Sequence, residues 1–126
     1  MILDCSERPV LPHAVGLYHL AWEVETLDEL RTTRDRLHAV GALTGASDHA
    51  STKALYARDV DGIEFEVTWL IPDTELERVL VPGVAPTRPL DLDAEIRRYG
   101  KKTQGGSRSD VELMNRIMAQ HAGKFE

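Results

Sequence analysis

Two alternating stretches of the chain, residues 16–25 and residues 63–70, constrain its fold more than any other feature of the sequence. In the first stretch Trp22 falls on a mostly apolar face and His19 on the opposite, mixed face, because successive side chains of a strand point to opposite faces. In the second stretch Glu66 stands between two apolar residues and belongs to the mixed face. Each stretch therefore predicts a strand with one apolar face for packing on a helix and one face that carries polar groups.

A helix is predicted directly after the first strand. Thr26 and Glu29 have the spacing of a capping box, and Gly41 is placed to end the helix in a left-handed turn. The motif DVDG predicts a tight turn before the last strand. Two further short strands are predicted at residues 42–46 and 53–58. The order strand, helix, strand, strand, strand makes this part of the chain an α+β domain.

The mixed face has two interpretations that periodicity alone does not separate. If the sheet is a layer with one face in water, His19 and Glu66 are solvated side chains and need no further role. If the sheet curls into a half-barrel, an imidazole and a carboxylate on its concave surface are two ligands of a metal site.

The charge and the cysteine content exclude several kinds of partner. The formal net charge is −6 over 126 residues, which disfavours nucleic acid and anionic membranes because both attract basic proteins. The single cysteine, Cys5, has no partner for an internal disulfide, and no apolar run is long enough to span a bilayer. The expected compartment is cytoplasmic, and neither nucleic acid nor a membrane is an expected partner.

Three stretches, "GLYHLAWEV", "GASDHASTKALYARDVDG" and "IEFEVTW", together resemble the vicinal oxygen chelate superfamily, which includes glyoxalase I, bleomycin resistance proteins and extradiol ring-cleaving dioxygenases. The resemblance implies that residues 16–71 form a single βαβββ module, a half-barrel sheet that pairs with a second module. It also implies that His19 and Glu66 are metal ligands. The turn of the family reads D-P-D-G-N where this chain has DVDGI, a change that leaves the Glu66 carboxylate in register.

The run "SDH", followed by a strand with a tyrosine, is similar to the extradiol dioxygenases, in which this histidine and tyrosine line the substrate pocket. Carried over by position, the resemblance implies that His49 and Tyr56 are the catalytic residues, with Asp48 as the group that orients the histidine, and that the substrate is a small molecule. The resemblance implies a metal-dependent oxidoreductase that cleaves a catechol-like ring, with Fe(II) as the expected cofactor and Ni, Co, Zn or Mn as alternatives. From the residues alone, a surface histidine and a tyrosine packed in the core remain open.

Two other functions within the superfamily remain open. One is a glyoxalase I-type isomerase or lyase, in which a symmetric dimer surrounds the metal with two histidines and two glutamates. The other is a bleomycin-resistance-type protein that binds a small molecule on the concave surface without chemistry. Metal content separates the two enzymes from the binding protein.

A single module supplies only two of the three protein ligands that ring cleavage needs. The chain is therefore expected to act as a homodimer or together with a missing N-terminal module. Residues 1–15, "MILDCSERPVLPHAV", read as the last strand of such a preceding module followed by a connector. The isolated chain is expected to be inactive, or nearly so, on catechols.

Residues 72–126 are predicted to form a connector and C-terminal helices. Prolines punctuate the connector, and residues 91–99 form a predicted helix that Gly100 ends. The run "KKTQGGSRS" predicts a flexible linker. Ser109 and Glu112 then have the spacing of a second capping box, which begins the last helix.

Overall fold

The structure, a computed structural model, describes residues 19–81 and 87–120, and for His19 it describes the backbone alone. Residues 1–15, predicted as strand and connector, lie outside this range. None of the helices in the described ranges has the length and apolar character that crossing a bilayer requires. In chain order the elements are β1 (His19–Glu23), α1 (Leu27–Ala39), β2 (Leu43–Asp48), β3 (Thr52–Arg58), β4 (Glu64–Leu70), a 3₁₀ turn (Asp73–Glu75), α2 (Leu76–Val79), α3 (Leu92–Tyr99) and α4 (Val111–Gln120).

The four strands of the described ranges form one mixed sheet in the order β1-β4-β3-β2. β1 runs parallel to β4, and the other two pairings are antiparallel. A parallel pair cannot be joined by a tight hairpin, and the chain makes the crossover through α1, β2 and β3. The predicted α+β class and the predicted order of elements are confirmed.

The predicted cap of α1 at Thr26 is formed, but the Glu29 side chain reaches back to the N–H of Glu25, one residue before the N-cap residue that a capping box requires. The Thr26 hydroxyl accepts a hydrogen bond from the Glu29 N–H at 3.2 Å, and the Glu29 carboxylate accepts one from the Glu25 N–H at 3.2 Å. At the other end Gly41 has a φ of 74°, and its N–H donates to the His38 carbonyl. A residue without a Cβ adopts this left-handed conformation without strain and so ends the helix.

One face of the sheet is covered by α1 and α3, and the hydrophobic core lies between these layers. Burying each large apolar side chain there contributes about 1.5–3 kcal/mol relative to exposure, which decides the face that the helices cover. Trp22, predicted on the same face, is 50% exposed because β1 is an edge strand of the described sheet. The buried core residues of the sheet and α1 are Leu27, Leu30, Leu55, Val67 and Trp69.

The segment predicted as a flexible linker, residues 101–109, is instead anchored at the end of β4. The Gly106 N–H donates to the Leu70 carbonyl at 3.1 Å, and the Arg108 guanidinium binds the Asp73 carboxylate at 2.6 Å. Burial works against ionisation of Asp73, but its hydrogen bonds from Arg108 outweigh burial and hold its pKa below the usual range. The prediction was wrong because it used composition, whereas fixed hydrogen-bond partners order the segment.

The cap of α4 also differs from the predicted one. The Asp110 carboxylate accepts a hydrogen bond from the Leu113 N–H at 3.0 Å, so Asp110 caps the helix in place of Ser109. The Ser109 hydroxyl lies 2.6 Å from that of Ser107. Both residue types are good caps, and this competing contact decides between them. The predicted end of α3 at Gly100 is confirmed.

Gly106→Ala is expected to lower the free energy of unfolding by about 1–3 kcal/mol. A Cβ on this residue would press against the side chains of Asp73 and Arg108 and lie 2.6 Å from the Ile71 carbonyl oxygen, which cannot move alone. Urea denaturation followed by tryptophan fluorescence measures the loss. Gly45→Ala is the matched control because its Cβ would meet nothing within 4 Å. Equal denaturation midpoints for the two variants would contradict the tight packing of this segment.

Candidate active site

The face of the sheet away from α1 carries the residues that the sequence predicts as a site. Tyr56 of β3 and Glu66 of β4 are paired directly across the two strands. His19 of β1 is paired with Glu64 of β4, so its position belongs to the same face. We call this side of the sheet the polar face, and it comprises Tyr56, Glu64, Glu66 and the position of His19.

His49 and Tyr56 form a hydrogen-bonded pair on the polar face. The His49 Nε2 atom lies 2.6 Å from the Tyr56 hydroxyl oxygen, and the two rings meet edge to face with centroids 6.3 Å apart. The other ring nitrogen, Nδ1, lies 3.2 Å from the Thr87 hydroxyl oxygen. The two residues predicted as catalytic are therefore in contact, at a distance that allows a proton to pass between imidazole and phenol.

The phenol of Tyr56 is held in its protonated form. Partial burial raises the pKa of Tyr56, and the negative charges of Glu66 and Glu64 raise it further. At neutral pH the hydroxyl therefore carries its hydrogen and can donate it to a neutral imidazole.

A tight turn between β2 and β3 places the His49 ring. The His49 N–H donates to the Thr52 carbonyl at 2.9 Å, and the Ser51 N–H donates to the His49 carbonyl at 2.8 Å. Ala50 has a φ of 65°, in the left-handed region that is unfavourable for a residue with a Cβ. The Asp48 carboxylate accepts a hydrogen bond from the Ala50 N–H at 2.9 Å and so helps to hold this conformation.

Asp48 orients this turn rather than the imidazole ring, which is a correction to the role predicted for it. Its carboxylate lies on the helix side of the sheet, 2.7 Å from the ammonium of Lys53, a side chain that is 1% exposed. Glu95 of α3 lies 3.6 Å from the same ammonium. Sequence reasoning missed this cluster, although alternation with the buried Leu55 already put Lys53 on the apolar face of β3.

The predicted metal ligands belong to neighbouring strands of the polar face. His19 is opposite Glu64, so Glu66 is offset from it by two residues across one strand spacing; ideal strand geometry gives a Cα separation of about 8 Å. The side chain of His19 lies outside the described residues. Among the side chains that are described, no group of three or more His, Cys, Asp or Glu is arranged to hold a metal ion.

Compared with protein-family models, curated proteins and solved structures, the chain matches none. Membership of the vicinal oxygen chelate superfamily therefore stays a prediction from the motifs.

Proposed function

We propose that this chain is a module of an extradiol-type dioxygenase and that it binds a catechol-like molecule on its polar face. The observation that carries the proposal is the 2.6 Å contact between His49 Nε2 and the Tyr56 hydroxyl, on the same face as Glu66. An acid–base pair beside a carboxylate suits a substrate whose hydroxyl groups must lose protons before they react. The resemblance of the motifs supplies the reaction, ring cleavage.

The pair can remove a proton from a bound hydroxyl group in two linked transfers. The substrate O–H gives its proton to the Tyr56 oxygen as the Tyr56 proton passes to Nε2 of neutral His49. A substrate oxyanion, a neutral phenol and an imidazolium result, and the reverse transfers return the proton to the product. The raised pKa of Tyr56 suits this relay because the phenol is restored and is never left as phenolate.

The sheet surface beside Tyr56 carries a glycine. Gly45 of β2 is paired with Tyr56, and a Cβ on Gly45 would meet nothing within 4 Å. A larger residue at this position would project from the same face as the phenol, because paired residues point to the same side of a sheet. The glycine therefore leaves the surface of the sheet beside Tyr56 open at this position.

The residues present fit part of a divalent-metal site. Glu66 would hold the ion together with His19, and these are donor types of the two-histidine, one-carboxylate face that binds Fe(II). When bound, iron would supply the activation of dioxygen and of the catecholate. The third ligand would come from a second copy of the chain or from a second module, as the half-barrel pairing of the superfamily implies.

A second candidate function is binding of a small molecule on the polar face without chemistry. The observation that favours it is that the His49 ring and the Tyr56 hydroxyl place hydrogen-bonding groups side by side on the polar face. In this case His49 and Tyr56 would recognise the ligand through hydrogen bonds and would transfer no proton. A glyoxalase-type isomerase, the remaining alternative, would bind metal but consume no dioxygen.

Metal binding by the purified chain under anaerobic conditions separates these functions. We expect Fe(II) to bind and Glu66→Gln to weaken binding by about tenfold or more, because a lost ligand acts directly on the metal. Glu64→Gln is the matched control, since it neutralises another carboxylate of the same face. Equal iron content in the two variants would remove Glu66 from the metal site.

Binding of 4-nitrocatechol, whose absorption spectrum changes on ionisation, tests the chemistry on the iron-loaded chain. The relay predicts that the bound molecule is ionised. A chain that takes up no iron and binds the catechol without ionising it supports the non-catalytic function instead. Dioxygen uptake with a panel of catechols, measured with an oxygen electrode on the assembly that supplies the third ligand, a dimer or a pair of modules, then separates the dioxygenase from the isomerase.

A further inference from the structure

A short bridge at the edge of β2 brings a third residue, Thr87, to the His49–Tyr56 pair. The Asp48 N–H donates to the Arg88 carbonyl at 2.7 Å, and the Arg88 N–H donates to the Asp48 carbonyl at 2.8 Å. Residues paired in this way point to the same side, so the next residues, Thr87 and His49, share the other side, which is the polar face. Arg88 precedes a proline, which favours the extended backbone that the bridge needs.

Buried charges on the helix side of the sheet hold this bridge. The Asp48 carboxylate accepts hydrogen bonds from the buried Lys53 ammonium at 2.7 Å and from a backbone N–H at 2.9 Å. The Arg88 guanidinium lies 3.5 Å from the other oxygen of the Asp48 carboxylate. Hydrogen bonds to ionised groups are stronger away from water, so Asp48 has little freedom. Thr87 and His49, each adjacent to a bridge residue, are thereby held in place.

We infer that Thr87 is a positioning residue that holds the His49 ring as the tautomer with hydrogen on Nδ1. The Thr87 hydroxyl oxygen lies 3.2 Å from Nδ1 and can accept that hydrogen, which leaves Nε2 as the acceptor 2.6 Å from Tyr56. In the other tautomer Nε2 would carry hydrogen and could not take the proton of the phenol. The relay of the proposed function needs the first tautomer, and the inference rests on that function.

The state of the Tyr56 hydroxyl agrees with this assignment. A phenol, with an ordinary pKa of about 10, is a stronger hydrogen-bond donor and a weaker acceptor than an aliphatic hydroxyl. The Tyr56 hydroxyl is therefore the better donor to Nε2, and the Thr87 hydroxyl is the better acceptor for Nδ1–H. A threonine hydroxyl both donates and accepts, and it can therefore pair with Nδ1–H at the other side of the ring. Thr87 is exposed, so its replacement leaves the hydrophobic core intact.

Nitrogen-15 NMR of the imidazole side chains tests the inference on the full chain, and His49→Gln assigns the signals. Wild type and Thr87→Ser, which keeps the hydroxyl, should both carry hydrogen on Nδ1. Thr87→Val keeps the shape but removes the hydroxyl, and it should shift the tautomer ratio toward Nε2–H by roughly three- to tenfold, the effect of one hydrogen bond. An unchanged ratio in Thr87→Val, or a wild-type ring with hydrogen on Nε2, overturns the inference.

Ionisation of bound 4-nitrocatechol separates a failure of this inference from a failure of the proposed function. Thr87→Val should reduce the ionised fraction of bound 4-nitrocatechol by a similar factor. Thr87→Ser, which keeps the hydroxyl, should retain the wild-type fraction. Suppose that Thr87→Val shifts the tautomer ratio but neither Thr87→Val nor His49→Gln changes the ionisation of the bound catechol. The inference that Thr87 fixes the tautomer is then supported, and the proposed function is contradicted. If His49→Gln abolishes ionisation while Thr87→Val changes neither ionisation nor the ratio, the function stands and the inference fails.

Discussion

Replacing Lys53 with methionine is expected to lower the free energy of unfolding by about 3–5 kcal/mol. The Lys53 side chain is 1% exposed, and its ammonium lies 2.7 Å from the Asp48 carboxylate and 3.6 Å from that of Glu95. Methionine fills a similar volume but removes the buried cation between the two carboxylates. Of the described cations, this leaves Asp48 with only the more exposed Arg88 guanidinium at 3.5 Å, and this poorly compensated charge is the reason for the loss. Urea denaturation followed by far-ultraviolet circular dichroism measures it.

Two further variants sharpen this comparison. Lys102→Met removes another lysine that is paired with an aspartate, Asp28, at 3.0 Å, but this lysine is 74% exposed. Solvent screens such a pair, so the denaturation midpoint should stay near that of wild type. The double variant Lys53→Met with Asp48→Asn removes opposite charges together and should recover part of the loss. If Lys53→Met unfolds no more easily than Lys102→Met, the buried cluster does not stabilise the turn between β2 and β3.

Replacing His49 with glutamine is expected to slow proton removal from a bound catechol by about 10²–10⁴-fold, the range for losing a general base. Glutamine can still form hydrogen bonds with Tyr56 and Thr87, but it cannot take a proton at neutral pH. Both ring nitrogens of His49 are engaged with these two hydroxyl groups. Bound iron should therefore be unaffected. Anaerobic stopped-flow absorption of 4-nitrocatechol, with iron measured in the same samples, gives both quantities.

Tyr56→Phe and His38→Gln complete this set. Tyr56→Phe removes the hydroxyl through which the relay reaches His49, so it should slow proton removal to a similar extent. His38 is an exposed residue of α1, on the side of the sheet away from the polar face, and His38→Gln should leave the rate unchanged. Equal rates for His49→Gln and His38→Gln would exclude the relay.

The strands, the first helix and the two faces of the sheet could be predicted from the sequence. Alternation placed Glu66 on one face of the sheet and the core residue Val67 on the other, and the pairing of β4 with β3 confirms that assignment. The helix cap by the Thr26 hydroxyl and the helix end at Gly41 depend only on residues within one helical turn, and both are formed.

Less of the candidate site could be predicted. The motif resemblance singled out His49 and Tyr56, and the structure shows their contact. The half-barrel pairing, the metal and the roles of His19 and Glu66 stay predictions, since the ligands of such a site depend on a second module or copy. The "KKTQGGSRS" segment was misjudged because composition does not reveal the partners that a segment finds after folding.

The sequence by itself determined the features that depend on near neighbours. Side-chain alternation, helix capping and the DVDG turn arise from contacts within a few residues, so their patterns are visible before the chain folds. Only the tertiary structure decided that Thr87 meets His49, 38 residues earlier in the chain, and that Glu95 approaches Lys53. These contacts depend on a bridge at the sheet edge and on the packing of α3, and both join segments that are distant in sequence. No local pattern specifies which distant residue will make such a contact.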